Sequence, residues 1–101
     1  MSQQFDVPIY RVMLVRESGI PAPKEEVVTP AIAARIAQSY LEGADREIFC
    51  VMMLDGKNHV IGLNTVSVGA LSAAIVHPRE VFKPAILANA SSIILVHNHP
   101  S

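Results

Sequence analysis

The sequence predicts an α/β domain of two or three layers. Three observations lead there. Strand-like and helix-like segments alternate along the chain. Residues 46–54 (REIFCVMML) are almost continuously apolar after the first two, as in a strand buried on both faces. Residues 30–42 carry an apolar stripe with helical spacing. The length of 101 residues corresponds to one domain, since single domains typically run ~100–150 residues. Half the residues are apolar and 17% are charged, a composition that suits a globular core and argues against disorder. A chain of this size buries roughly two-thirds of its unfolded surface, so it folds alone with little margin.

Taken in order, residues 9–15 (IYRVMLV) are rich in β-formers and predict a first strand. Residues 18–24 (SGIPAPK) hold a Gly and two Pro and predict a loop. A helix follows over residues 30–42. Thr29 supplies a capping hydroxyl, and Pro30 sits where a missing N–H costs nothing. Ile32, Ile36 and Tyr40 form the stripe with Ala33, Ala37 and Leu41 beside them, and Gly43 provides a left-handed stop.

Residues 46–54 and 59–68 predict an antiparallel hairpin joined by the turn cluster Asp55-Gly56-Lys57-Asn58, which Asp55 organises through its own side chain. Met52 and Met53 fall in the buried strand as core packing. Residues 69–74 are small-residue linkage, and residues 74–77 predict a short strand. A second helix is expected from Pro78 toward Ala88, with Arg79 and Glu80 as a surface pair at its start. His77 is placed to cap it, and Pro84 is expected to kink or break it. Residues 92–99 (SIILVHNH) predict the last strand. His59 follows the turn and is expected to face solvent. Ser67 has no His–Asp partners placed for it and so no route to nucleophilic chemistry.

The formal net charge is −1, from 8 basic and 9 acidic residues, and the basic residues are scattered. Non-specific nucleic-acid binding needs clustered Lys and Arg to release counterions, so no direct nucleic-acid binding is expected. Cys50 is the sole cysteine and lies in an apolar run, which fits a reducing compartment and a buried, hydrophobe-like thiol. The N-terminus lacks the apolar core of a signal peptide, and the longest apolar run, residues 48–54, is far short of the ~20 residues of a membrane helix. A cytoplasmic location without membrane association is expected.

The chemistry is concentrated at His97-Asn98-His99-Pro100. On a strand, residues two apart share a face about 6.6 Å apart, so the two imidazoles could converge on one ion at ~2.0–2.1 Å from each nitrogen. Pro100 would end the strand and leave the site at its rim. The alternative is a pair of strand-end histidines bonded to backbone or solvent. Glu47 is an acid at the start of a strand that otherwise wants apolar residues. Beside a low-dielectric wall its proton affinity would rise, as a proton shuttle needs. It could equally be a solvated strand end paired with Arg46 or Arg79.

The run His97-Asn98-His99-Pro100-Ser101 resembles the H-N-H-P-S signature of the RadC family, a branch of the JAB/MPN (JAMM-type) zinc hydrolases. Residues 46–49 (REIF) leading into Leu54-Asp55, 66–69 (VSVG) and 77–82 (HPREVF) agree, so the resemblance covers residues 5–101. It implies a JAB/MPN-like, cytidine-deaminase-like layered domain with a mixed central sheet flanked by helices. It further implies zinc as cofactor, His97 and His99 as its ligands, Glu47 as general base, and peptide or isopeptide bonds as substrates. The family pattern continues H-x-H-x7-S-x-x-D. Its Ser and its Asp ligand fall beyond Ser101, so residues 1–101 are expected to be one domain lacking its C-terminal part, with catalysis by this chain alone not expected. Pro84 is a second departure, where the family has helix-compatible residues.

Two further readings go with the resemblance: a non-catalytic interaction module of MPN type, and a DNA-repair factor that does not contact DNA directly. A domain short of its C-terminal part leaves an apolar face and a sheet edge uncovered, so a homodimer or domain swap is expected to cover them.

Overall fold

The computed structural model describes residues 3–69 and 76–99. Their elements run α1 (Pro30–Leu41), β1 (Glu47–Leu54), β2 (Val60–Gly69), α2 (Pro78–Leu87) and β3 (Ser92–His97). The strands form one sheet in the order β2-β1-β3. β1 is therefore the central strand, which is why its side chains are apolar on both faces. Cys50, Val51 and Met52 have no exposed surface, and Met53 and Leu54 are buried beside them.

Alternation along β1 sorts the core into two halves. Met52 and Leu54 face α1, packing with Ala33, Ile36 and Ala37 and with Ile94 and Val96 of β3. Val51 and Met53 face the other way, onto Val81 and Ala85 of α2 and Ile93 of β3. One helix on each face makes three layers. The α1 half also takes in Val27, whose N–H donates to the Asn58 carbonyl of the β1–β2 turn at 2.8 Å.

The boundaries of α1 follow its punctuation. The Thr29 hydroxyl accepts from the Ile32 N–H at 3.3 Å, and Gly43 turns left-handed at φ 78°. Tyr40 reaches from the helix to hydrogen-bond the Thr65 hydroxyl on β2. In the β1–β2 turn, Asp55 Oδ1 accepts from the N–H groups of Lys57 and His59, both at 2.9 Å. These two bonds, His59 first, hold the Asp55 carboxyl below its ordinary value.

Several expectations are corrected. Residues 9–15 form no strand. They are exposed, Ile9 at 96%, because no described strand lies beside them to take up their backbone groups. Both pairings of β1 are antiparallel, so the described strands do not make a mixed sheet: β2 returns directly by a turn, and β3 returns after α2 on the other side of β1. β3 ends at His97, so His99 lies past the strand. α2 runs through Pro84 without a break. The ring loses one backbone donor but is itself buried against the sheet. His77 makes no side-chain capping bond, and Glu80 pairs with Lys83 at 3.6 Å instead of Arg79. Of the short strand expected at residues 74–77, residues 74–75 lie outside the described residues, as does most of the 69–74 linkage, and Val76 and His77 are not in a strand. Pro100 and Ser101 lie outside them as well. Among the described residues no helix is long and apolar enough to cross a membrane.

Candidate metal centre

Antiparallel pairing brings the first residue of β1 and the last of β3 to the same end of the sheet. The register sets Phe49 opposite His97 as the last pair at that end. Residues 47, 49, 51 and 53 of β1 share the α2 face with residues 93, 95 and 97 of β3, so Glu47 and His97 rise from one rim on one face.

Glu47 Oε1 lies 3.7 Å from His97 Nε2, with 12% of the Glu47 side chain and 30% of the His97 side chain exposed. The His97 and His99 rings meet edge to face, centroids 4.6 Å apart at 73°. One ligand atom from each of Glu47, His97 and His99 falls within 4.8 Å of the other two. The Phe49 ring stands beside that of His97, centroids 5.9 Å apart and planes tilted by 40°.

Two imidazoles and a carboxylate are the donor set of a catalytic zinc site. Ligand atoms each about 2.1 Å from one ion lie no more than ~4.2 Å apart, so small side-chain rotations bring these three into range. The residues present fit such an ion. They also place a carboxylate largely withdrawn from water against two more open imidazoles, an arrangement able to pass a proton out of the site.

Of the sequence candidates, Glu47, His97 and His99 are brought together and the others are not. Glu47 turns to His97, not to Arg46 or Arg79. His59 lies at the opposite end of β1, with Nδ1 3.8 Å from Asp55 in the turn. His77 is exposed at the start of α2. Ser67 stands opposite Phe49 on β2, with the full width of β1, about 9.6 Å at normal strand spacing, between it and His97.

Two residues at the site carry no role of their own in the sequence, where Phe49 ends the REIF segment and Asn98 is the middle of the motif. The Asn98 side chain reaches across to β1. Its Oδ1 accepts from the Ile48 N–H at 2.6 Å, and its Nδ2 donates to the Arg46 carbonyl at 3.1 Å. The available signal was an Asn at a strand end, since Asn is depleted in strands unless its amide finds backbone partners.

The chain matches the RadC-like JAB domain over residues 27–101. It is 46% identical over 91 residues to a UPF0758 protein of Rubrobacter xylanophilus, covering 90% of this chain and 38% of that protein. A UPF0758 protein of Desulfitobacterium hafniense is 44% identical over 84 residues, covering 83% and 37%. One from Methanosarcina acetivorans is 40% identical over 85 residues, covering 84% and 37%. The chain thus spans little more than a third of the length of these relatives. The match begins at Val27, where the chain joins the core of the fold.

Proposed function

This chain belongs to the RadC-like JAB domain family, and from that premise we propose that it carries the two-histidine and carboxylate part of a zinc-dependent hydrolase site for peptide or isopeptide bonds. The observation that carries the reading is the convergence of Glu47, His97 and His99 within 4.8 Å on one rim of the sheet, inside the matched residues. The finer architecture that goes with it is the JAB/MPN-like layered fold, with the three described strands as one part of a larger sheet.

His97 and His99 are the residues that would hold the ion. Zinc, when bound, supplies Lewis acidity and lowers the pKa of water at the site. Glu47 accepts a proton from the attacking water and returns it to the leaving amine, which a carboxylate can do only within hydrogen-bond reach of the reacting atoms. Its position at the base of the rim, beside His97, provides that reach. Phe49 keeps water from one side of His97 and fixes the ring's tilt. The chain spans little more than a third of its relatives' length, so turnover is proposed for a protein of their length and ion binding for the residues of this chain.

The test is zinc content of the untagged chain by plasma mass spectrometry, beside His97→Ala. Near-stoichiometric zinc that is lost in the variant supports the reading. Absence of zinc from both overturns ion binding by these residues alone.

A further inference from the structure

We propose that Asn98 is a positioning residue that sets the direction of Glu47 and releases His99 toward His97. The inference rests on the reading of Glu47, His97 and His99 as one site, and goes beyond it by naming the residue that assembles them.

Continued one residue beyond its last pair, Phe49 and His97, the register of β1 with β3 would set Ile48 opposite Asn98. In an antiparallel ladder, such a pair exchanges both N–H···O bonds between backbones. Here only half of that exchange is made by the main chain: the Asn98 N–H donates to the Ile48 carbonyl at 3.4 Å. The returning bond, from the Ile48 N–H, goes to the side-chain Oδ1 of Asn98 at 2.6 Å. The carboxamide stands in for the residue's own carbonyl. Freed of that bond, the chain can leave the ladder after Asn98 while β1 keeps its partner.

Past the end of β3, the His99 ring stands edge to face with that of His97, centroids 4.6 Å apart. The release of the chain after Asn98 lets His99 take up that position.

The other half of the carboxamide acts on Glu47. Nδ2 donates to the Arg46 carbonyl, which belongs to the peptide group preceding Glu47, while the Ile48 N–H belongs to the peptide group following it. One planar amide therefore grips both peptide planes that flank Glu47. Fixing those two planes fixes φ and ψ at Glu47, and with them the direction of its Cα–Cβ bond toward His97. The carboxamide supplies one acceptor and one donor on a short planar head; Asp lacks the donor, and Ser spans only one plane.

The test is NMR on the metal-free chain together with Co²⁺ titration, comparing the parent, Asn98→Ala, Asn98→Asp, Glu47→Gln and the Asn98→Ala/Glu47→Gln double variant. In Asn98→Ala, Ile48 amide exchange is expected to quicken tenfold or more and the Glu47 HN–Hα coupling to move toward its averaged value. Amides of Met52 and Ile94 in the centre of the sheet should keep their rates. Asn98→Asp retains the acceptor, so it should keep Ile48 protected while losing the Glu47 coupling; it also serves if the alanine variant fails to fold. With Co²⁺, Asn98→Ala should change the visible spectrum in the parent background and change it less in the Glu47→Gln background, where only the displacement of His99 is left to act. Unchanged Ile48 exchange and Glu47 coupling in Asn98→Ala would overturn the proposal, and so would a uniform rise across all amides, which marks a merely structural bond. If the parent takes up no Co²⁺ while the NMR changes appear as expected, the ion-binding reading fails and the positioning role of Asn98 stands.

Discussion

Nε2 of His97 sits 3.7 Å from Oε1 of Glu47, although one residue ends β3 and the other begins β1. The antiparallel register is what makes them neighbours. The same contact allows Glu47 two roles toward an ion, direct ligand or proton acceptor, and the two roles predict different losses. As proton acceptor, Glu47→Gln keeps its shape and hydrogen-bonding reach and lowers zinc affinity by about tenfold or less, the small end of losses outside the ligand set. His97→Ala, which removes a ligand, lowers it by more than about 100-fold. Competition against a chromophoric chelator measures both. Equal losses would make Glu47 a ligand.

Phe49 is the largest apolar contact of the site, facing His97 on one side and the α2 half of the core on the other. Phe49→Ala is expected to destabilise the chain by about 2 kcal/mol, below the usual loss for a fully buried phenylalanine because this ring is only partly buried. Phe49→Leu should recover most of that stability but not the ring contact, leaving His97 freer to rotate. Urea unfolding reads the first effect. The second is read as a loss of zinc affinity in Phe49→Leu at near-parental stability; unchanged affinity would show that the ring does no more than fill space.

Much of the fold was legible because its signals are local. Thr29, Pro30 and Gly43 mark the ends of α1 through a hydroxyl, a missing N–H and a left-handed turn, none of which depends on the rest of the chain. The unbroken apolar run ending at Leu54 announced a strand covered on both faces, and β1 is that strand. What local signals could not supply was pairing. Residues 9–15 have the composition of a strand, yet a strand exists only where a neighbour accepts its hydrogen bonds. His97 and His99 were legible as a pair of like residues, and Glu47 as an acid in an apolar context. That Asn98 ties them together depends on the β1–β3 register, which no single segment encodes. Pro84 does not break α2 for a related reason: the local cost of a proline in a helix is real, but burial of its ring is a tertiary gain.

The capping bond of α1 gives a simple check on local encoding. Thr29→Ala removes the acceptor for the Ile32 N–H and should cost about 1 kcal/mol, the usual loss of a capping hydroxyl. Thr29→Ser or Thr29→Asp should restore most of it. The site is expected to stay unaffected, since α1 packs on the opposite face of the sheet from Glu47 and His97. Equal zinc affinity for Thr29→Ala and the parent would confirm that the two faces are energetically separate.

Cys50 predicts a pH dependence whose sign can be worked out. Its thiol is fully buried in the middle of β1, and burial pushes its pKa up to about 11 from 9.0. Between those values the unfolded chain ionises the thiol while the folded chain keeps it protonated, so the folded state binds more protons. The contribution is therefore fully present below pH 9 and is lost as the pH rises toward 11, at a slope of up to about 1.4 kcal/mol per pH unit. Cys50→Ala removes this term and leaves the tyrosines and lysines unchanged. Its stability should start lower than the parent's at pH 8, from the small cavity, and the gap should narrow or reverse by pH 11. Chemical denaturation at several pH values measures the gap. A constant gap would mean that Cys50 ionises as readily in the fold as out of it, and would require water to reach the centre of β1. The same burial predicts that thiol reagents at pH 8 label Cys50 only as fast as the chain opens, so labelling should slow in proportion as stability rises.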